Sequence, residues 1–119
     1  MKDCIFCKIA RGQAPASVVF ESDSVIAFEA APGVTSGHTL VIPKRHFESV
    51  LDVDPDIFKE VMSVVQTLSQ KKVGKDGVTA VNILNASGKD AQQSIFHLHV
   101  HIIPRRKDDG LDMWIREGL

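Results

Sequence analysis

The stretch that decides the fold reads Ile95-Phe96-His97-Leu98-His99-Val100-His101-Ile102-Ile103-Pro104. Histidine and apolar residues alternate, and on a β-strand successive side chains point to opposite faces. A strand over 95–104 therefore puts His97, His99 and His101 on one face and Phe96, Leu98, Val100 and Ile102 on the other. The apolar set calls for a covering layer. The imidazoles need partners for their ring nitrogens, so three in a row are costly as plain core filling. Spacing alone leaves two chemistries open. His97 and His99 form a His-x-His pair of the kind that ligates a hydrolytic zinc. Alternatively, a neutral imidazole is itself the nucleophile and its neighbours handle charge and protons.

The cover is found upstream. Asp54 is a good N-cap, and Pro55 follows at the first helical position, where its missing N–H costs nothing. Ile57, Val61, Val64, Val65 and Leu68 recur at helical spacing, widened by Phe58 and Met62. Lys71 and Lys72 suit the last turn, and Gly74 is a natural stop. This long helix should lie apolar face down on a sheet. Residues 78–84 read as the strand before the histidines, joined to them by a polar loop from Asn85 to Asp90. Residues 18–21 and 25–29 read as two strands joined by Ser22-Asp23-Ser24, and 38–43 as a third that Pro43 stops. Residues 4–10 make a short helical turn carrying Cys4 and Cys7 on one side. Strands without βαβ alternation predict an α+β fold: a five-stranded antiparallel sheet, one long helix and a short N-terminal helix.

The remaining arithmetic narrows the function classes. At 119 residues, the chain is expected to form a single domain over 1–119. Apolar residues at 44% and charged residues at 24% exclude disorder as the main state. Fourteen basic against fifteen acidic residues give −1, so no field gathers a polyanion, and nucleic acid is not the expected partner. No apolar run approaches the roughly 20 residues that span a bilayer. Met1-Lys2-Asp3-Cys4 opens no signal region, so no membrane role and a cytoplasmic location are expected. Two cysteines cannot make a disulfide framework, and a C-x-x-C in such a chain is a metal half-site or a redox pair. The redox reading needs a βαβ context that the pattern lacks.

Four blocks in order resemble the histidine triad family. His97-Leu98-His99-Val100-His101-Ile102-Ile103 matches its signature, and Pro104-Arg105 extends it in the manner of bacterial members. Gly37-His38-Thr39-Leu40-Val41-Ile42-Pro43-Lys44-Arg45-His46 resembles its second block, Cys4-Ile5-Phe6-Cys7-Lys8-Ile9 its zinc-bearing N-terminus, and residues 108–114 a bacterial tail. The resemblance covers almost the whole chain and is nearest to the Hint-type nucleotide hydrolases, with a HIT-like fold.

This resemblance implies cleavage of nucleoside 5′-monophosphates, adenosine or guanosine derivatives, from phosphoramidate or related leaving groups. His99 would attack the α-phosphorus and form a nucleotidyl-histidine that water hydrolyses. His101 would contact the phosphate and manage protons, His38 would stand beside the triad, and Ser94 would place a hydroxyl near the phosphate or scissile nitrogen. Asn85, Gln92 and Gln93 would form the phosphate loop, and Phe28 the wall under the base, extended by Val18-Val19-Phe20. In zinc-bearing members Cys4, Cys7, His46 and His97 would hold a structural zinc; no organic cofactor is implied. The family is typically a homodimer, and Trp114 either reaches a partner's site or caps its own core. Three positions depart from the pattern: Ala30 where a ribose-binding carboxylate is usual, Ala86 for asparagine, and Gln92 for glycine. They motivate an alternative, a zinc-stabilised nucleotide-binding or regulatory module with little turnover.

Overall fold

The computed structural model describes residues 3–115. Helix α1 spans Ile5–Ala10 and α2 spans Pro55–Lys72. Strands β1 (Val18–Glu21), β2 (Val25–Glu29), β3 (Thr39–Pro43), β4 (Val78–Leu84) and β5 (Val100–Arg106) form one antiparallel sheet in the order β1-β2-β3-β5-β4. The predicted α+β architecture is the one observed.

Helix α2 forms for the reasons its sequence gives. The Asp54 carboxylate accepts the Ile57 N–H at 3.2 Å, closing the N-terminus. At the other end Gly74 turns away at φ +94°, a left-handed backbone that glycine adopts without a steric penalty. Its stripe of Val61, Val65 and Leu68 packs on Val25, Ala27, Val41, Val100 and Ile102. The opposite sheet face is covered by α1, whose Phe6 and Ile9 pack on Ile26, Phe28, Leu40 and Ile42. Strands β2 and β3 are thus buried on both faces, which is why they read as continuous apolar runs rather than as alternating ones.

The histidine strand is shorter than expected. It begins at Val100, so His97 and His99 lie in the segment leading into β5. Continuing the β3–β5 register from Val41↔Val100 would set Pro43 opposite Leu98, and proline has no N–H to offer a ladder. The Leu98 N–H turns instead to the Phe47 carbonyl at 2.7 Å. Phe96 is 48% exposed, so it does not pack under α2, whereas Leu98, Val100 and Ile102 are fully buried. Truncating Leu98 to alanine is expected to cost about 2–5 kcal/mol in urea unfolding. A cost within the roughly 0.5 kcal/mol of a surface change would show that Leu98 is not core.

Two further expectations need correction. Val18-Val19-Phe20 do not line the cavity on the histidine side: Phe20 packs against the α2 cluster, and Val18 and Val19 are half exposed. Trp114 does not cap its own core, because it is 62% exposed. The tail is instead clamped at Asp109, whose carboxylate takes Arg105 Nε–H and Nη2–H at 2.8 and 2.9 Å.

Candidate active site

On the α1 side of the sheet lies a cavity of about 570 Å³. His38, His99, His101, Ser94, Phe28 and Phe6 are among the residues that line it. His101 is delivered by β5, where it sits across from Leu40 of β3 and Leu84 of β4. His38 immediately precedes β3 rather than starting it, and its backbone carbonyl accepts the Ala30 N–H at 2.9 Å.

The hydrogen bonds fix the proton on each ring. The Val34 N–H donates to His38 Nδ1 at 3.1 Å, so the neutral ring carries its proton on Nε2. That Nε2–H donates to His101 Nδ1 at 2.9 Å, which leaves His101 with its own proton on Nε2. His99 Nδ1–H donates to the His97 carbonyl at 2.9 Å, so His99 Nε2 holds an unshared pair. Burial pushes all three rings toward neutrality: His101 falls to about 4, helped by His99 and His38, and His38 is lowered further by the Lys72 charge. The arrangement therefore sets a lone pair and a ring N–H side by side, with His99 and His101 centroids 5.1 Å apart.

This neutrality has a stability consequence. Histidines of an unfolded chain titrate near about 6.5. The folded His101 titrates near about 4, so between these values the unfolded state binds more protons. Stability then rises with pH through that window and is lost as pH falls from about 6.5 toward 4. Urea midpoints should drop on going below pH 6.5, and His101→Asn should flatten that slope. An unchanged slope in the variant would contradict the burial of the ring.

The other predicted residues are distributed unevenly. Ser94 and Phe28 reach the cavity, while Asn85, Gln92 and Gln93 are not on its wall. The Asn85 Nδ2–H donates to the His99 carbonyl at 3.0 Å, so it braces the segment that carries His99. Gln93 is buried: its Oε1 accepts the Gly88 N–H at 2.8 Å and its amide donates to the Glu48 and Ile95 carbonyls. Gln92 is exposed at φ +69°, which explains why glycine suits that position. Ala30 lines the cavity without a polar group, and Glu29 lines it too.

Sequence reasoning missed two contributors. Phe6 sets its ring edge-on to His99 at 5.2 Å and to His97 at 5.9 Å, and its place between the two cysteines was the available signal. The Val34 amide, which sets the His38 tautomer, has no side-chain signal at all. Gly33 permits its approach, since a Cβ there would lie 3.0 Å from His38 Cβ.

Beneath the cavity, Cys4, Cys7, His46 and His97 could hold a metal ion, and their donor atoms all lie within 4.8 Å of one another. Cys4 and Cys7 Sγ stand 3.4 and 3.5 Å from His97 Nδ1, and Cys7 Sγ 3.3 Å from His46 Nδ1. Zinc bonds of about 2.3 Å to sulfur and 2.0–2.1 Å to nitrogen, in a tetrahedron, would set such pairs roughly 3.5 Å apart. The His97 Nε2–H is committed to the Pro43 carbonyl at 2.8 Å, leaving Nδ1 as an acceptor. Burial and the neighbouring Cys4 push the Cys7 thiol up, the situation that a dication relieves. The four residues fit the group. Among the described residues His99 belongs to no such cluster, so His97 and His99 do not form a shared metal site.

The HIT domain family model matches residues 11–108. The chain belongs to the HIT domain family. The adenylylsulfatase HINT3 of Arabidopsis thaliana is 37% identical over 117 residues, with 98% of this chain and 58% of that protein covered. A solved Streptococcus mutans structure superposes with a TM-score of 0.92 at 34% identity, covering 100% of this chain and 76% of that one. A zinc-bound histidine triad protein from Mycobacterium smegmatis gives 0.87 at 33% identity, covering 98% of this chain and 85% of that one. Relatives of this HIT chain thus include an adenylylsulfatase and a zinc-bound protein, and the chain shares the fold of the zinc-bound one. Among its described residues no helix is long and apolar enough to cross a membrane.

Proposed function

We propose that this HIT protein is a nucleotidyl hydrolase that releases a nucleoside 5′-monophosphate, of adenosine or guanosine, from a phosphoramidate or related leaving group. The observation that carries it is the tautomer set: His99 Nε2 is unprotonated and His101 Nε2 carries a proton on the same cavity.

His99 Nε2 attacks the α-phosphorus, forming an N–P bond as the bond from phosphorus to the leaving group breaks. The His101 Nε2–H donates to a phosphoryl oxygen, where negative charge builds in the transition state. His38 holds His101 in that tautomer. The Ser94 hydroxyl, on the same wall, passes a proton to the leaving nitrogen. Water then returns one proton to Ser94 and attacks phosphorus, which breaks the N–P bond, releases the monophosphate and restores neutral His99. Phe28 supplies the apolar wall for the base. Cys4, Cys7, His46 and His97 hold a structural zinc, which when bound ties α1 to the segment carrying His99 and takes no part in the steps. Asn85, Gln92 and Gln93 shape the loop behind the phosphate.

A homodimer is proposed as the working form. Strand β4 is an open sheet edge, and Ile83 and Leu84 on it are each 40% exposed.

Wild type, with and without chelator, assayed for AMP release from adenosine 5′-phosphoramidate tests the proposal. Chelator-indifferent release supports it; no release from a folded protein overturns it. Ala30 offers no ribose acceptor, and a lost charged contact costs about 1.5–3 kcal/mol. Ribo- and deoxyribonucleotide substrates should therefore show similar kcat/KM. A strong ribose preference would show that another residue, such as Glu29, has taken the role.

A further inference from the structure

A second cavity of about 300 Å³ lies on the α2 side of the sheet. It is walled by the last turn of α2, the Ser36-Gly37 turn and the end of β5. Four cations line it, Lys71, Lys72, Lys75 and Arg106, against two carboxylates, Glu29 and Asp76. Among the described residues none of the four cations has a carboxylate oxygen within 4.0 Å.

The partners they do have are neutral. Arg106 Nε–H donates to the Asp76 carbonyl at 2.9 Å and its Nη1–H to the Ser36 carbonyl at 3.1 Å. Lys72 Nζ–H donates to the Gly37 carbonyl at 3.0 Å. These bonds hold the heads in place without discharging them. Lys72 is half-buried, and burial lowers its pKa, with the Glu29 charge opposing in part. It is an ammonium that lacks a close counter-charge. Lysines in a last helical turn ordinarily complement the helix dipole, and that accounts for Lys71 and Lys72. It does not account for Arg106, which comes from β5 and is fixed over the same cavity by two different turns.

The volume is at the lower end for a ligand site, so the ligand is small. An excess of two positive charges, presented by an ammonium and a guanidinium, suits the oxygens of a multivalent phosphate. The wall shared with the histidines is one peptide: Gly37 accepts Lys72, and the next residue is His38. Gly37 sits at φ +88°, and a Cβ there would lie 3.3 Å from Pro104 Cγ and 3.9 Å from Lys72 Nζ. The Lys72 Nζ–H to Gly37 carbonyl hydrogen bond at 3.0 Å is the link through which a movement of Lys72 reaches that peptide.

We propose that this cavity is a second anion site, taking free orthophosphate or pyrophosphate, and that occupancy is felt at His38 through Lys72 and Gly37. An anion engaging Lys72 competes with the Gly37 carbonyl for its protons. The proposal holds whatever reaction the histidines perform.

The test is a titration of the full-length ¹⁵N-labelled protein with inorganic pyrophosphate, alongside the exposed-lysine pair Lys71→Glu, Lys75→Glu. The expected result is saturable amide shifts at Gly37, His38, Lys72 and Lys75. The pair should weaken them by at least about tenfold, as loss of two charged contacts requires. Pyrophosphate in the histidine cavity would appear at Ser94, His99 and His101 and would not respond to the pair. The milder Lys71→Gln, Lys75→Gln pair should give a smaller loss in the same direction. Shifts confined to Ser94, His99 and His101 would overturn the site. So would shifts over 71–75 that never saturate and fade with salt, which is plain charge screening. Saturation at Lys75 with His38 unmoved would overturn the coupling.

Discussion

Replacing His99 with alanine is expected to lower kcat for AMP release from adenosine 5′-phosphoramidate by at least about 10³-fold, because the attacking atom itself is removed. The His38 to His101 chain would survive, since it runs through Val34 and not through His99. His101→Ala keeps the nucleophile and loses only the donor, so its loss should be smaller, about 10²-fold. His99 is buried against the Phe6 edge, so the melting temperature must be read beside the rate. Intact mass of quenched wild-type turnover should show a nucleotidyl adduct that the variant lacks. Equal AMP release by the two proteins would remove His99 from the chemistry. Silence from both, with the fold intact, would favour the nucleotide-binding module. The departures at Ala30 and Ala86 and the left-handed Gln92 would then be its explanation.

The second large effect is expected from Cys4→Ser. Cys4 has two jobs: its Sγ accepts the Cys7 N–H at 3.3 Å as the cap of α1, and it stands in the donor cluster. Serine is a good cap, so the substitution preserves the first job. Its hydroxyl does not ionise as a thiol does, so the second is lost. Zinc content should fall from near one per chain to near none. The melting temperature should drop by about 10 °C, which is a few kcal/mol for a domain of this size. Chelation of wild type should reproduce the drop. Equal zinc contents and melting temperatures would show that the cluster binds no structural metal.

Much of the fold is legible residue by residue. Asp54, Pro55 and the Val61, Val65, Leu68 stripe define α2, because caps and helical periodicity act within a few neighbours. The strands β1, β2 and β4 fall where their β-branched runs and turn residues put them. The cysteine and histidine types that form the donor cluster are visible as motifs, although His46 and Cys7 stand 39 positions apart.

What the sequence by itself determined was the set of elements, the histidines that share a face, and the family to which their pattern belongs. Those follow from local sterics and from residue chemistry. The tertiary structure decided where β5 begins, because a proline on one strand and the Phe47 carbonyl beyond it drew Leu98 off the ladder. It decided that Gln93 and Asn85 brace the loop rather than face the cavity, because the carbonyls they satisfy come from distant segments. It also decided which nitrogen of each histidine holds the proton. That choice rests with the amide of Val34 and the carbonyl of His97, backbone groups that every residue carries and that only the fold can aim.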